Sequence, residues 1–141
     1  MTNVSPERVP GLHGDTAITV GNEHTAPHVG SGRVRVLATP VMINLLEAAA
    51  LAAVERFLPE GQQTVGTHLD VKHFAATPVG MPVKAHAELT GVDGRKLTFR
   101  VWAEDAVEPI ADGTHERIII TLARFDERMQ KKKAGEPSVK R

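Results

Sequence analysis

Cysteine is absent from this chain of 141 residues. Its absence excludes a disulfide framework, a cysteine-based zinc site and a cysteine nucleophile together. An excess of either charge is missing too: Lys+Arg and Asp+Glu both number 17, for a formal net charge of +0. A duplex nucleic-acid binder generally carries a clear basic excess, and the same balance argues against strong electrostatic attraction to a membrane. No apolar run free of charge approaches the ~18 residues that would span a bilayer, and the N-terminus lacks the apolar stretch of a secretion signal. The expectation is a cytoplasmic protein with neither nucleic acid nor membrane as partner. There is no G-x-S-x-G motif, and Ser5, Ser31 and Ser138 lie in irregular contexts, which argues against a serine hydrolase. A P-loop and a dinucleotide fingerprint are likewise missing, as are internal repeats.

What is present suits one domain. Residues 1–14 and the basic segment 130–141 are too polar and irregular to pack, which leaves 15–129 as the folded unit. Thr16–Val20 and Arg33–Leu37 read as short strands. TPVMINLLEAAALAAVERF (39–57) reads as one long helix, with Thr39 as a good N-cap residue, Pro40 in the first turn and Leu58–Gly61 as the stop. Gln63–Ala76, Val83–Leu89, Leu97–Ala103 and Thr114–Phe125 then read as strands, with a turn signal at Asp93-Gly94 and further turns at Glu108-Pro109 and Ile110–Gly113. A single long apolar helix must be covered. An α+β domain in which an antiparallel sheet curls around that helix supplies the cover.

One charge interrupts the helix. Ile43, Glu47, Ala50 and Val54 share a face, so Glu47 is flanked by apolar residues, while Asn44 and Glu55 point away. An unpaired carboxylate in such a place costs several kcal/mol. Glu47 is therefore paired, protonated, at an opening, or functional.

In the extended segment GTHLDVKHF (66–74), Thr67, Leu69, Val71 and His73 share the helix-facing side, and His68, Asp70 and Lys72 the other. An imidazole there is either a satisfied core residue or a partner for Glu47 in acid–base or nucleophilic chemistry. Thr39 adds a hydroxyl, but eight residues of regular helix place it about 12 Å from Glu47 along the axis. His115 and Arg117, in DGTHER (112–117), read as a solvated strand edge, with Arg117 able to meet a phosphate.

The spacing of Thr39, Glu47 and His73, with Gly66-Thr67, Ala75-Ala-Thr-Pro78, Gly94-Arg95 and Gly113–Arg117, resembles the fluoroacetyl-CoA thioesterase family over roughly Thr16 to Phe125. The resemblance implies a hot-dog fold, a homodimer with active sites at its interface, and hydrolysis of a small or medium acyl-CoA. It assigns Thr39, Glu47 and His73 as catalytic residues, and Gly66, Thr67 and Arg117 to substrate binding. No cofactor is implied beyond the coenzyme A of the substrate, and no metal. The family's enzyme carries an aromatic lid before its catalytic threonine, whereas Thr25–Arg33 here contains no aromatic residue, so fluorine selectivity is not expected to carry over. The alternative is a non-catalytic hot-dog protein that binds acyl-CoA or a carrier-bound acyl group. A hydratase of this fold would need an Asp or His on the helix, and this helix has neither.

Overall fold

The computed structural model describes residues 11–138. Its elements are β1 (His13–Thr19), two short helical turns (Asn22–His24 and Ala26–Val29), α1 (Thr39–Val54), β2 (Gln62–His73), β3 (Pro82–Asp93), β4 (Lys96–Asp105), β5 (Pro109–Thr121) and α2 (Leu122–Lys133). The strands form one open sheet in the order β1-β3-β4-β5-β2, with every neighbouring pair antiparallel.

Alternation builds the core. Val83, Ala85, Ala87 and Leu89 of β3 and Leu97, Phe99, Val101 and Ala103 of β4 are buried on one face. There they meet Met42, Leu46, Ala49, Ala50 and Ala53 of α1. The β3–β4 hairpin turns at Gly94, whose φ of 61° favours glycine. α1 packs across β1, β3 and β4. It leaves the inner face of β2, an edge strand, largely uncovered, and Leu69 there is 39% exposed.

Several boundaries differ from expectation. Arg33–Leu37 is not a strand: Val36 makes one isolated bridge to Pro78, and a residue without an N–H cannot propagate the pairing. The first strand starts earlier than expected, at His13, and Leu12 packs against the core; the rest of the segment assigned as irregular, residues 1–10, lies outside the described residues. Ile110–Gly113 does not turn but runs within β5, where Gly113 pairs with both Val71 and Val101. A Cβ on Gly113 would lie 2.1 Å from the Asp70 carbonyl oxygen, so the glycine marks close strand approach. The last strand ends at Thr121 rather than Phe125, and the charged stretch beyond it is helical through Lys133, with Glu127 and Lys131 paired at 4.0 Å one turn apart. Residues 139–141 of the basic segment also lie outside the described residues. Among the described residues no helix is long and apolar enough to cross a membrane.

Candidate active site

Two groups of polar side chains stand on the inner face. The first is built where the chain enters α1. Leu37 N–H donates to the Thr77 carbonyl at 2.8 Å and Ala38 N–H to the His24 carbonyl at 2.9 Å. Thr77, fully buried, donates its hydroxyl to Asp105 Oδ2 at 2.8 Å. Asp105 Oδ1 accepts the N–H groups of Val107 and Glu108 at 2.8 and 3.0 Å. The Ala75-Ala-Thr-Pro78 segment thus anchors the approach to Thr39. Ala38 occupies the N-cap position and Thr39 is the first helical residue. The Thr39 hydroxyl makes no cap. It lies 2.7 Å from His73 Nδ1, at the end of β2.

Burial holds His73 below the ordinary imidazole range, outweighing a contact with the Ala75 backbone that acts the other way. Its Nε2 is buried without a hydrogen-bond partner among the described residues. A cleft of about 280 Å³ opens here, lined by Ala26, Ser31, Thr39, His73, Phe74 and Ala75.

The second group surrounds Glu47. Its carboxylate is not enclosed by the apolar core: the side chain is 37% exposed, at an opening, and its Oε2 lies 3.7 Å from Arg117 Nη1. Arg117 is only 6% exposed and His115 is fully buried, which overturns the reading of a solvated strand edge. Arg117 Nε donates to Thr64 Oγ1 at 2.8 Å, Nη2 to the Thr64 carbonyl at 3.1 Å, and Nη1 to His115 Nε2 at 3.2 Å. Burial lowers the Arg117 pKa, and the charge of Glu47 opposes that shift. Gly66 closes the group: a Cβ there would lie 2.7 Å from Glu47 Oε2 and 3.1 Å from His115 Cε1.

A β-bulge unites the faces. Gly66 and His73 are seven residues apart and would point to opposite sides of a regular strand. The register slips between Gly66 and His68, so that Gly66 pairs with Arg117 while Leu69, Val71 and His73 pair with His115, Gly113 and Ala111. All of these then share the inner face. Thr67 is the residue displaced. It is exposed and donates its hydroxyl to the Glu116 carbonyl at 3.3 Å, joining neither group.

Of the residues expected at the site, Thr39 and His73 meet, and Glu47, Gly66 and Arg117 meet. Among the described residues no hydrogen bond or ion pair joins the two groups. His115, Thr64, Thr77, Asp105 and Phe74 were not expected at the site. His115 and Arg117 share parity with Ala111 and Ile119, a signal of the inner face that the continuous run Ile118-Ile119-Ile120 obscures. No group of three or more His, Asp or Glu among the described residues is placed to hold a metal ion.

Comparison with known proteins bears on the family and the fold. The family model described as fluoroacetyl-CoA-specific thioesterase matches residues 20–123. The fluoroacetyl-CoA thioesterase of Streptantibioticus cattleyicolor is 43% identical over 97 residues, 69% of this chain and 70% of that protein. A solved structure of a fluoroacetyl-CoA thioesterase superposes with a TM-score of 0.82 at 36% identity, covering 87% of this chain and 96% of the other. A Thermus thermophilus hypothetical protein of the thioesterase superfamily gives 0.83 at 26% identity, over 89% and 93%. The open antiparallel sheet with one long helix on its face is the hot-dog fold, and the chain belongs to the fluoroacetyl-CoA-specific thioesterase family.

Proposed function

We propose that the protein hydrolyses the thioester of a small or medium acyl-CoA. The observation that carries this reading is the Thr39–His73 pair, a hydroxyl 2.7 Å from an imidazole at the mouth of a cleft. Burial lowers the pKa of His73, and its ring shuttles a proton, either assisting the hydrolytic water or protonating the departing thiolate. Glu47 is the nucleophile or general base directed at the thioester carbonyl. In the first case its carboxylate displaces the thiolate and water opens the resulting anhydride; in the second, water attacks directly. The Thr39 hydroxyl, beside His73 Nδ1, donates a hydrogen bond to the developing oxyanion. A bulge leaves its extra residue outside the ladder, so a backbone N–H at Gly66-Thr67 is positioned to donate to that oxyanion as well.

The uncovered inner face of β2, with Leu69 and the unpaired edge of the strand, supports a homodimer in which a second copy covers the site. Sedimentation at micromolar concentration is expected to show a dimer, and a monomer would contradict this part of the reading.

The test is thiol release from a panel of acyl-CoAs, with the wild-type protein and Glu47→Gln. The variant is expected to fold and to lose turnover by about 10²-fold or more. Turnover retained within a few-fold removes Glu47 from the chemistry. No thiol release by the wild type from any thioester, with binding preserved, would identify an acyl-CoA binder instead.

A further inference from the structure

We propose that His115 is a positioning residue for this reaction: a buried imidazole, fixed in one tautomer, that holds Arg117 back from the Glu47 carboxylate. The proposal rests on the thioesterase reading of Glu47.

Both ring nitrogens of His115 are committed. Nδ1 lies 2.8 Å from the His68 carbonyl oxygen. A carbonyl only accepts, so Nδ1 carries the hydrogen. Nε2 lies 3.2 Å from Arg117 Nη1. A guanidinium only donates, so Nε2 presents its lone pair. These two contacts define the neutral Nδ1–H tautomer, because an imidazolium would set one N–H against another. Burial, aided by the charge of Arg117, acts in the same direction. The ring also lies against Phe99, with centroids 6.2 Å apart and planes at 29°, so its orientation is set by the core.

The consequence falls on Arg117. Thr64 takes Nε and Nη2, and His115 takes Nη1. Glu47 Oε2, at 3.7 Å from Nη1, is near enough to feel the charge and too far for a hydrogen bond. The carboxylate is tethered electrostatically while its lone pairs stay available to the thioester or to water. Nη1 carries two hydrogens and His115 holds one of them; without that acceptor the guanidinium is no longer held on this side and can close on Glu47 Oε2, 3.7 Å away. A direct, charge-assisted Arg–carboxylate pair would both move the carboxylate and occupy the electron pair that the chemistry needs.

Two substitutions separate this role from mere packing. Both remove the ring and its contact with Phe99. His115→Asn keeps a donor where Nδ1 stood and loses the acceptor for Arg117. His115→Gln places its side-chain oxygen where Nε2 stood and loses the donor to His68. The expected result is a fall in kcat of about tenfold or more for Asn with KM little changed, and substantial recovery of kcat in Gln. Equal losses in two folded variants, or a poorer Gln variant, would overturn the proposal.

A second readout uses the unaltered protein. Nitrogen-15 shifts of the His115 ring at neutral pH are expected to show the Nδ1–H tautomer, and an Nε2–H form or a cation would also overturn the proposal. Full turnover by Glu47→Gln would remove the underlying function while leaving the tautomer result standing, so the two failures are distinguishable.

Discussion

The Gly66 backbone and the Glu47 carboxylate leave no room for a side chain between them: a Cβ at position 66 would lie 2.7 Å from Glu47 Oε2. Position 66 is itself exposed, in an edge strand, and the severest contact of an added methyl group is with the end of the Glu47 side chain, with a lesser one on the His115 ring at 3.1 Å. Gly66→Ala is therefore expected to displace Glu47 with only a modest fall in melting temperature. Misplacing a reacting group by about 1 Å costs up to ~10²-fold in rate, and a loss of that order in kcat is expected. Wild-type kcat in the variant would show that Glu47 works from another position.

The two half-buried or buried histidines of the inner face give a pH dependence of definite sign. His73 and His115 both titrate below the ordinary value of 6.5, with burial the largest cause in each. As pH falls through 6.5 the unfolded chain takes up protons that the folded chain resists. The unfolded state is favoured, and stability declines as the pH drops toward the folded-state values. For His115 the groups facing it divide: Arg117 adds to the shift, while the His68 carbonyl, Glu47 and Glu116 oppose it. Urea midpoints measured between about pH 7.5 and 5 are expected to fall with acidification, with a shallower slope in His115→Gln. The acidic limb of kcat/KM, set by protonation of His73, is expected below pH 6.5. Stability that rises on acidification through this range would contradict the assignment.

Asp105 adds a further acidic dependence. Burial pushes its carboxyl up, but the Val107 N–H, the Thr77 hydroxyl and the Glu108 N–H together hold it below the ordinary carboxylate value. The stability it contributes is therefore present above the usual carboxylate range and lost as pH falls through its lowered value. Thr77→Val removes a fully buried hydroxyl and leaves Asp105 Oδ2 without its partner. A loss of about 1–3 kcal/mol is expected in chemical denaturation. Because Thr77 also receives the Leu37 N–H two residues before Thr39, a moderate fall in kcat is expected alongside. Unchanged stability would mean that the turn is held by other contacts.

The helix, the four strands after it and the Asp93-Gly94 hairpin were legible because each is written in a strong local code. The residues Val83 to Leu89 and Leu97 to Ala103 alternate without interruption, and Thr39–Val54 is continuously apolar on its buried side. The inner position of His73 was legible for the same reason. The bulge at Thr67 was not. It adds one residue against β5 and reverses the parity of everything before it, and no residue type near Gly66 announces that. The Arg117–Thr64–His115 network was hidden because Ile118 and Ile120 are as apolar as Ile119, so neither face of β5 declares itself. The approach of Asp105 to Thr77 spans 28 residues and depends on how two turns are stacked, which local periodicity does not encode.

Discrimination between fluoroacetyl-CoA and acetyl-CoA is expected to be weak. The connection from β1 to Thr39 contains no aromatic residue. It contributes Ala26, Ser31 and Val36 to the cleft beside Thr39 and His73, and Gly30 adopts a left-handed φ of 79°. Small side chains on such a segment cannot enclose a two-carbon acyl group as an aromatic lid would, since each aromatic buries about 150–250 Å². The aromatic that lines this cleft is Phe74, at the end of β2, and it is 54% exposed. Phe74 borders the cleft from one side without closing over it, so Phe74→Ala is expected to lower kcat/KM for both thioesters by similar factors. A small change of substituent in an apolar pocket is worth at most ~200-fold. The decisive measurement is kcat/KM for the two thioesters under one set of conditions, in the wild type and in Phe74→Ala. A preference for the fluorinated substrate beyond ~10³-fold, well above that ceiling, would show that strong selectivity does not require an aromatic lid before Thr39. If that preference then vanished in Phe74→Ala, Phe74 would be the residue that supplies the closure instead.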